Sequence, residues 1–283
     1  MSAAGKLAII GWPVTQSRSP LIHNHWLVAR GEEAVYQTYP IDPQDDFRQA
    51  LQHMAASGFV GANVTAPHKE AAFAAMDVLS AAAQILGAVN TISFQNGQMV
   101  GANTDGAGFI ASLDEAAQAT GWRARPVLVL GAGGAARAIV AALGHAGVTD
   151  IRLVNRTRAK AEALSGLAEN MQIEDWHACL DMADGCGLMV NTTSLGMVGK
   201  PPLALPEAVF TALSPEALVC DIVYAPLETP LLQAARASGH VGVDGLGMLL
   251  HQAALSFEIW RGTRPQIDKA LRDKLIADLA QEG

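Results

Sequence analysis

Four short clusters in the first 105 residues put hydroxyl, amide, ammonium and carboxylate groups next to turns. Ser17 and Ser19 bracket Arg18 ahead of a helix-like stretch, and paired hydroxyls there can grip a carboxylate. In NVTAPHK, Thr65 and Lys69 share a strand-to-helix turn; AVNT puts Asn90 at a strand start, and GANTDG puts Asp105 at the exit of a hairpin. Each has an ordinary explanation: Ser19 caps a helix, Lys69 is solvated, Asn90 and Asp105 shape turns. Together they stand where open α/β sheets gather ligands, at the ends of elements.

The surrounding pattern supplies those elements. LAIIG is an apolar run ended by Gly-Trp-Pro, and SPLIHNHWLVARG offers Ser19 as cap, Pro20 at the first helical position and Gly31 as stop. AVYQTYPI reads as a strand, DPQDDFRQALQHMAASG as a helix that starts acidic, and FVGANVT as a strand followed by a helix begun by Pro67. NTISFQNGQMVGANT reads as a hairpin turning on Asn96-Gly97. Strand alternating with helix predicts a mostly parallel sheet with helices on its faces.

A second series begins with VLVLGAGGAARAIVAALG at Val127: buried strand, glycine turn, helix. Gly131, Ala132, Gly133, Gly134, Ala135 and Ala136 fit G-x-G-x-x-G/A, the turn that brings backbone and a helix N-terminus to a pyrophosphate. An enzyme of the NAD type ends the next strand with a carboxylate for the ribose hydroxyl; here the chain reads Asn155, Arg156, Thr157, Arg158, Ala159, Lys160. Cations at a helix start are misplaced electrostatically unless an anion faces them, so the expected cofactor is NADP, its 2′-phosphate held by this loop. DIRLVN, GLMVN, ALVCDIVY and VGVD continue the strands, AKAEALSGLAE and TPLLQAARASG the helices. AAQATGWRARP, residues 116–126, is the expected seam between the two sheets.

Composition narrows the classes. With 283 residues two domains are expected, and 50% hydrophobic against 16% charged residues supports packed cores. A formal charge of −8 disfavours nucleic acid and acidic membranes as partners. Three cysteines make a poor disulfide framework; His177 with Cys179 and Cys186 fits no common zinc spacing, and His23 and His25 do not share a helix face. No basic region precedes a long apolar stretch at the N-terminus, so the cytoplasm is the expected compartment.

The stretches SRSPLIHN, NVTAPHK, GAVNTI, NTDGAG, GAGGAARA, NRT, NTTSLGM, DIVYAPLETPLL and GLGMLLHQA resemble the shikimate dehydrogenases in order and over almost the whole length. The resemblance implies an α/β substrate-binding and catalytic domain (1–105 with 245–283), a Rossmann-type NADP domain (106–244) and C-terminal helices returning to the first domain. It implies reversible NADPH-dependent reduction of 3-dehydroshikimate to shikimate in aromatic amino-acid biosynthesis, by a monomer or homodimer. Ser17, Ser19 and Tyr224 would hold the substrate carboxylate; Thr65, Lys69, Asn90, Asp105 and Gln252 would face its hydroxyls. Lys69 and Asp105 would move the proton that accompanies hydride transfer, either of them as principal carrier. Thr193, Ile222, Gly245 and Met248 would complete the cofactor site, Met248 beside the nicotinamide. Lys160 departs from the arginine of some members, and NTTS from the commoner NATS. A quinate/shikimate enzyme using either cofactor is the nearest rival. A sensor that has lost turnover, and methylene-tetrahydrofolate or glutamate-type dehydrogenases, are more distant ones.

Overall fold

Each half of the chain builds one six-stranded sheet. The computed structural model describes residues 5–33, 35–117 and 121–281. The first half runs β1 (Lys6–Gly11), α1 (Ser19–Ala29), β2 (Tyr36–Pro40), α2 (Phe47–Ala56), β3 (Phe59–Val64), α3 (Lys69–Ala75), β4 (Val78–Leu79), α4 (Ala81–Leu86), β5 (Thr91–Gln95) and β6 (Gln98–Ala102). The second runs α5 (Asp105–Ala116), β7 (Val127–Leu130), α6 (Gly134–His145), β8 (Ile151–Asn155), α7 (Arg158–Glu162), β9 (Met171–Asp175), α8 (Cys179–Ala183) and β10 (Leu188–Asn191). It continues with α9 (Glu207–Ala212), β11 (Leu218–Asp221), α10 (Pro230–Ala237) and β12 (Val241–Val243), before α11 (Gly245–Arg261) and α12 (Lys269–Leu279).

The first sheet has the order β2-β1-β3-β5-β6-β4. β1 pairs parallel with β2 and β3, whereas β5 runs antiparallel to both β3 and β6. The hairpin turns where expected: Gln95 pairs with Gln98, and Asn96 and Gly97 between them have φ of 51° and 77°. Asp46 caps α2 by accepting from Gln49 N–H at 3.0 Å, and the helix turns Phe47, Leu51 and Met54 onto Ala8, Ile10, Ala62 and Val64.

The second sheet is parallel throughout, in the order β12-β11-β10-β7-β8-β9, the doubly wound arrangement 6-5-4-1-2-3. Its central strands are buried on both faces and so read as unbroken apolar runs. Val127, Val129 and Val190 pack with Ile139 and Leu143 of α6 and with Phe109 and Leu113 of α5 on one face. Leu128, Met189 and Val219 pack with Met182 of α8, Phe210 of α9 and Leu231 of α10 on the other.

Contacts divide the chain into one unit reaching Thr104 and including Gln252–Leu275, and another from Asp105 to His251 that takes the residues from Ile276 on. The break therefore falls before α5 and not in the expected 116–126 stretch, because Phe109 and Leu113 are buried with the second sheet; residues 118–120 of that stretch lie outside the described residues. Likewise residues 245–251, read from sequence with the first domain, fall in the second unit, and α11 crosses the division.

Two helix starts differ from the sequence reading. Arg18, without a side-chain bond to the helix end, occupies the cap of α1; Ser19 is its first residue, and Ser17 Oγ accepts from Ser19 N–H at 3.3 Å. The helix expected to open at Pro67 begins at Lys69, after a turn in which His68 N–H donates to the Thr65 carbonyl at 3.0 Å. The sequence pattern also left β4, β9, α4, α8 and α9 unread, all of six residues or fewer. The three cysteines are free and buried. Among the described residues no helix is long and apolar enough to cross a membrane.

Candidate functional site

In the first unit, strand ends bring the polar groups together. Thr65 directly follows β3, and its N–H donates to the Ile10 carbonyl of β1 at 2.8 Å. Asn90 directly precedes β5; since β5 is antiparallel to β3, Asn90 lies at the same end, its carbonyl accepting from Val64 N–H at 2.8 Å. Lys69, half-buried at the start of α3, accepts at its carbonyl from Val89 N–H at 2.9 Å. Thus the backbone of Lys69 is tied next to Asn90, and both stand at the carboxyl end of β3.

Beneath them lies a buried hydrogen-bond network that the sequence reading did not find. Tyr36 Oη donates to Asn63 Oδ1 at 2.7 Å. Asn63 Nδ2 donates to the Asn90 carbonyl at 3.1 Å and to Ser256 Oγ at 2.9 Å. Ser256 donates to the Gln252 carbonyl at 3.0 Å, and Thr104 Oγ1 donates to the same carbonyl at 3.1 Å. Asn90 Nδ2 in turn donates to Thr104 Oγ1 at 2.9 Å. Asn90 and Gln252, far apart in sequence, therefore share one scaffold with Thr104, the residue before Asp105. Asn63 and Thr104 were present in the quoted motifs, but a polar residue inside an apolar strand carries no local signal of its partners.

His23 closes this core. Its ring stacks on Tyr36 with centroids 4.2 Å apart and 9° between planes, with Trp26, Phe257 and Trp260 around it. Neither ring nitrogen has a hydrogen bond of good geometry, and burial pushes the imidazole down to about 3, offset only in part by Asn63 beside it.

The second unit presents the glycine turn. Gly131 follows β7 with φ of +100°, and a Cβ there would come within 2.7 Å of Thr193 Cγ2 and 2.9 Å of Thr192 Oγ1, so only glycine fits. Gly133 takes the cap position of α6 with no side-chain cap, and nothing lies within 4 Å of a Cβ on Gly133 or Gly134. The first N–H groups of a twelve-residue helix are thus uncapped by side chains above open space, a cradle that fits a pyrophosphate. Ala132 and Ala135 are half-buried beside it, and Ala136 packs fully into the core.

At the end of β8, Asn155 Nδ2 donates to the Thr157 carbonyl at 2.8 Å and shapes the loop. Arg156, Thr157 and Lys160 are exposed, and among the described residues neither cation has an ion-pair partner. Arg158, included with them as a phosphate ligand in the sequence reading, is instead held by Glu162 and Glu174, each at 3.0 Å. The unclaimed cations suited to a 2′-phosphate are therefore Arg156 and Lys160.

Thr193 follows β10, and Ile222 and Tyr224 follow β11. Gly245 opens α11 against the Ile222 carbonyl, where a Cβ would collide, and Met248 lies one turn on, half-buried on the core. Asp105 is the first residue of α5, where a carboxylate suits the helix dipole.

Family models match in chain order: the shikimate dehydrogenase substrate binding domain over residues 9–92, shikimate/quinate 5-dehydrogenase over 114–194, and the shikimate 5′-dehydrogenase C-terminal domain over 245–272. A Mesorhizobium japonicum protein named shikimate dehydrogenase (NADP(+)) is 48% identical over 281 residues, covering 99% of this chain and 98% of that protein. The chain belongs to the shikimate dehydrogenase family. Among solved structures, the Thermus thermophilus shikimate 5-dehydrogenase in complex with NADP(H) and shikimate is 35% identical, with a TM-score of 0.83 over 97% of this chain and 99% of that one. The Corynebacterium glutamicum quinate dehydrogenase in complex with NAD is 30% identical, with a TM-score of 0.88 over 97% and 99%. Within this chain, Ser17, Ser19, Thr65, Lys69 and Asn90 fall in the matched substrate binding domain, and Gly245, Met248 and Gln252 in the matched C-terminal domain. Asp105, Ile222 and Tyr224 lie outside the three matched stretches.

Proposed function

We propose that the chain catalyses the reversible NADPH-dependent reduction of 3-dehydroshikimate to shikimate, a step of aromatic amino-acid biosynthesis. What supports this reading most is the convergence of Asn90 and Gln252 on one buried scaffold, which gives two hydroxyl ligands fixed mutual positions. Ser17 and Ser19, with Tyr224, take the carboxylate; Thr65, Lys69, Asn90, Asp105 and Gln252 take the ring hydroxyls. The unit reaching Thr104 with Gln252–Leu275 forms the substrate part, and the unit from Asp105 to His251 the NADP part.

When bound, NADPH supplies a hydride to the carbonyl carbon, which leaves negative charge on the oxygen. Lys69 donates the proton to that oxygen, and in the oxidation direction accepts it; Asp105 orients the lysine and the reacting hydroxyl. The uncapped glycine turn takes the pyrophosphate, and Asn155, Arg156, Thr157 and Lys160 the 2′-phosphate; Thr193, Ile222, Gly245 and Met248 take the nicotinamide side. The enzyme works in the cytoplasm as a monomer or homodimer.

Following reduced-nicotinamide absorbance with shikimate or quinate and with NADP+ or NAD+ tests the reading. Turnover of shikimate with NADP+ well above the other three combinations is expected. Equal or faster turnover of quinate with NAD+ would move the chain to the second reading, which the TM-score of 0.88 to a quinate dehydrogenase keeps in view.

A further inference from the structure

Asp221 ends β11 with no exposed surface, and among the described residues it makes no ion pair. Its three hydrogen-bond partners among the described residues are neutral donors. Oδ1 accepts from Asn191 Nδ2 at 2.9 Å and from Val223 N–H at 3.1 Å, and Oδ2 accepts from the Thr229 hydroxyl at 2.7 Å. Three of its four lone-pair sites meet these donors and no acceptor-only group faces them, a setting that favours the ionised carboxylate. Desolvation raises its pKa, while the bonds from Thr229, Val223 and Asn191 oppose the rise.

The anchoring reaches the cofactor loops. Asn191 Oδ1 accepts from Thr193 N–H at 2.9 Å and from Thr193 Oγ1 at 2.8 Å, so one amide joins Thr193 to Asp221. The bond from Val223 N–H holds the chain on either side of Ile222. In a doubly wound sheet a dinucleotide lies across the carboxyl ends of the strands, one nucleotide over each half. The glycine turn and the Arg156 loop occupy the β7–β8 half, which leaves β10 and β11, and hence Asp221, for the nicotinamide half. A second carboxylate at this edge, Asp244, caps the start of α11 by accepting from Leu246 N–H at 3.0 Å.

We propose that Asp221 is a fixed buried negative charge that favours the oxidised, cationic nicotinamide ring over the reduced, neutral one, while it positions the Thr193 and Ile222 loops. This rests on the NADP reading above. The two cofactor forms share their phosphates and differ at the ring by one positive charge, so a charge near the ring alters the ratio of their affinities. A tie that is merely structural alters both affinities alike. Asn191, Thr229 and the backbone supply no countercharge, and burial keeps salt from screening the carboxylate.

The test is the pair of dissociation constants for NADP+ and NADPH, by calorimetry and by NADPH fluorescence, in the native protein and in Asp221→Asn. NADP+ affinity relative to NADPH is expected to fall about five- to tenfold in the variant, with melting temperature followed in parallel. Asp221→Ser, which places no amide against Asn191, gives the same reading should the asparagine variant fail to fold. In the native protein the ratio is expected to hold between low and high potassium chloride while each affinity falls. Weakening of both forms by one factor in the folded variants, or a ratio that moves with salt as steeply as the affinities, overturns the proposal. Failure of the native protein to bind either form overturns the NADP reading instead.

Discussion

Asn90 and Thr104 hold each other twice: Asn90 Nδ2 donates to Thr104 Oγ1 at 2.9 Å, and Thr104 N–H donates to Asn90 Oδ1 at 2.9 Å. Both side chains are buried. The same Thr104 hydroxyl reaches the Gln252 carbonyl of α11. One threonine therefore couples a residue proposed to bind a ring hydroxyl to the peptide that enters Asp105. Thr104→Val keeps the shape and removes the hydroxyl, leaving a buried amide hydrogen without its acceptor. A loss of about 1–3 kcal/mol in urea unfolding is expected, with a fall in kcat larger than any rise in the KM for NADP+. A variant that loses stability but keeps kcat would separate this hydroxyl from the placement of Asp105.

Lys69 stands at the first position of α3, half-buried beside the turn from β3. If its proton is needed only as the carbonyl oxygen gains charge, Lys69→Ala lowers kcat by about 10²–10⁴ with little change in KM. Near-normal turnover with a raised KM for shikimate would make it a binding residue.

The basic loop divides into paired and unpaired cations. Arg156→Ala is expected to weaken NADP+ about ten- to a hundredfold, the value of a lost charge-assisted bond, and NAD+ far less. Arg158 is already held by Glu162 and Glu174 on an exposed surface, so Arg158→Ala should change NADP+ affinity by less than about threefold. Titration of both cofactors against both variants checks the pair; a larger loss from Arg158 would reverse the assignment.

What could be read along the chain was chemistry carried by neighbours in sequence. The glycine turn after β7 and the Asn96-Gly97 hairpin depend on backbone conformation within a few residues, and the structure places both as their patterns require, whereas in the Arg156 loop Arg158 is drawn to Glu162 and to Glu174 of the next strand. Ser19, read as a cap, is instead the first residue of α1, with Arg18 at the cap position and Ser17 Oγ accepting from Ser19 N–H. Asn63, Ser256, Asn191 and Asp221 were invisible: a polar side chain in an apolar run declares that it needs partners without naming them. The unread β9 and α8 are short, and their burial comes from the sheet they join, not from a period of their own.

His23 gives the fold a pH dependence of known sign. Its folded pKa of about 3 lies below the ordinary imidazole value, so between these limits the unfolded chain binds a proton that the folded one refuses. Stability should therefore fall as pH drops from about 6.5, by at most about 1.4 kcal/mol per unit. The lowered carboxylates of Glu32, Asp77 and Asp268 act below the ordinary carboxylate range, whereas the raised Asp221 acts above it and with the opposite sign. The histidine's share of the slope between pH 6.5 and about 4.5 is therefore read as the difference between the native protein and its variant. His23→Phe retains a ring against Tyr36 and removes two buried nitrogens without good partners. Urea unfolding free energies at several pH values across that window are expected to lose most of their slope in the variant. An unchanged slope would mean that the imidazole already takes up its proton in the folded protein, against the burial and the Arg261 charge that Asn63 offsets only in part.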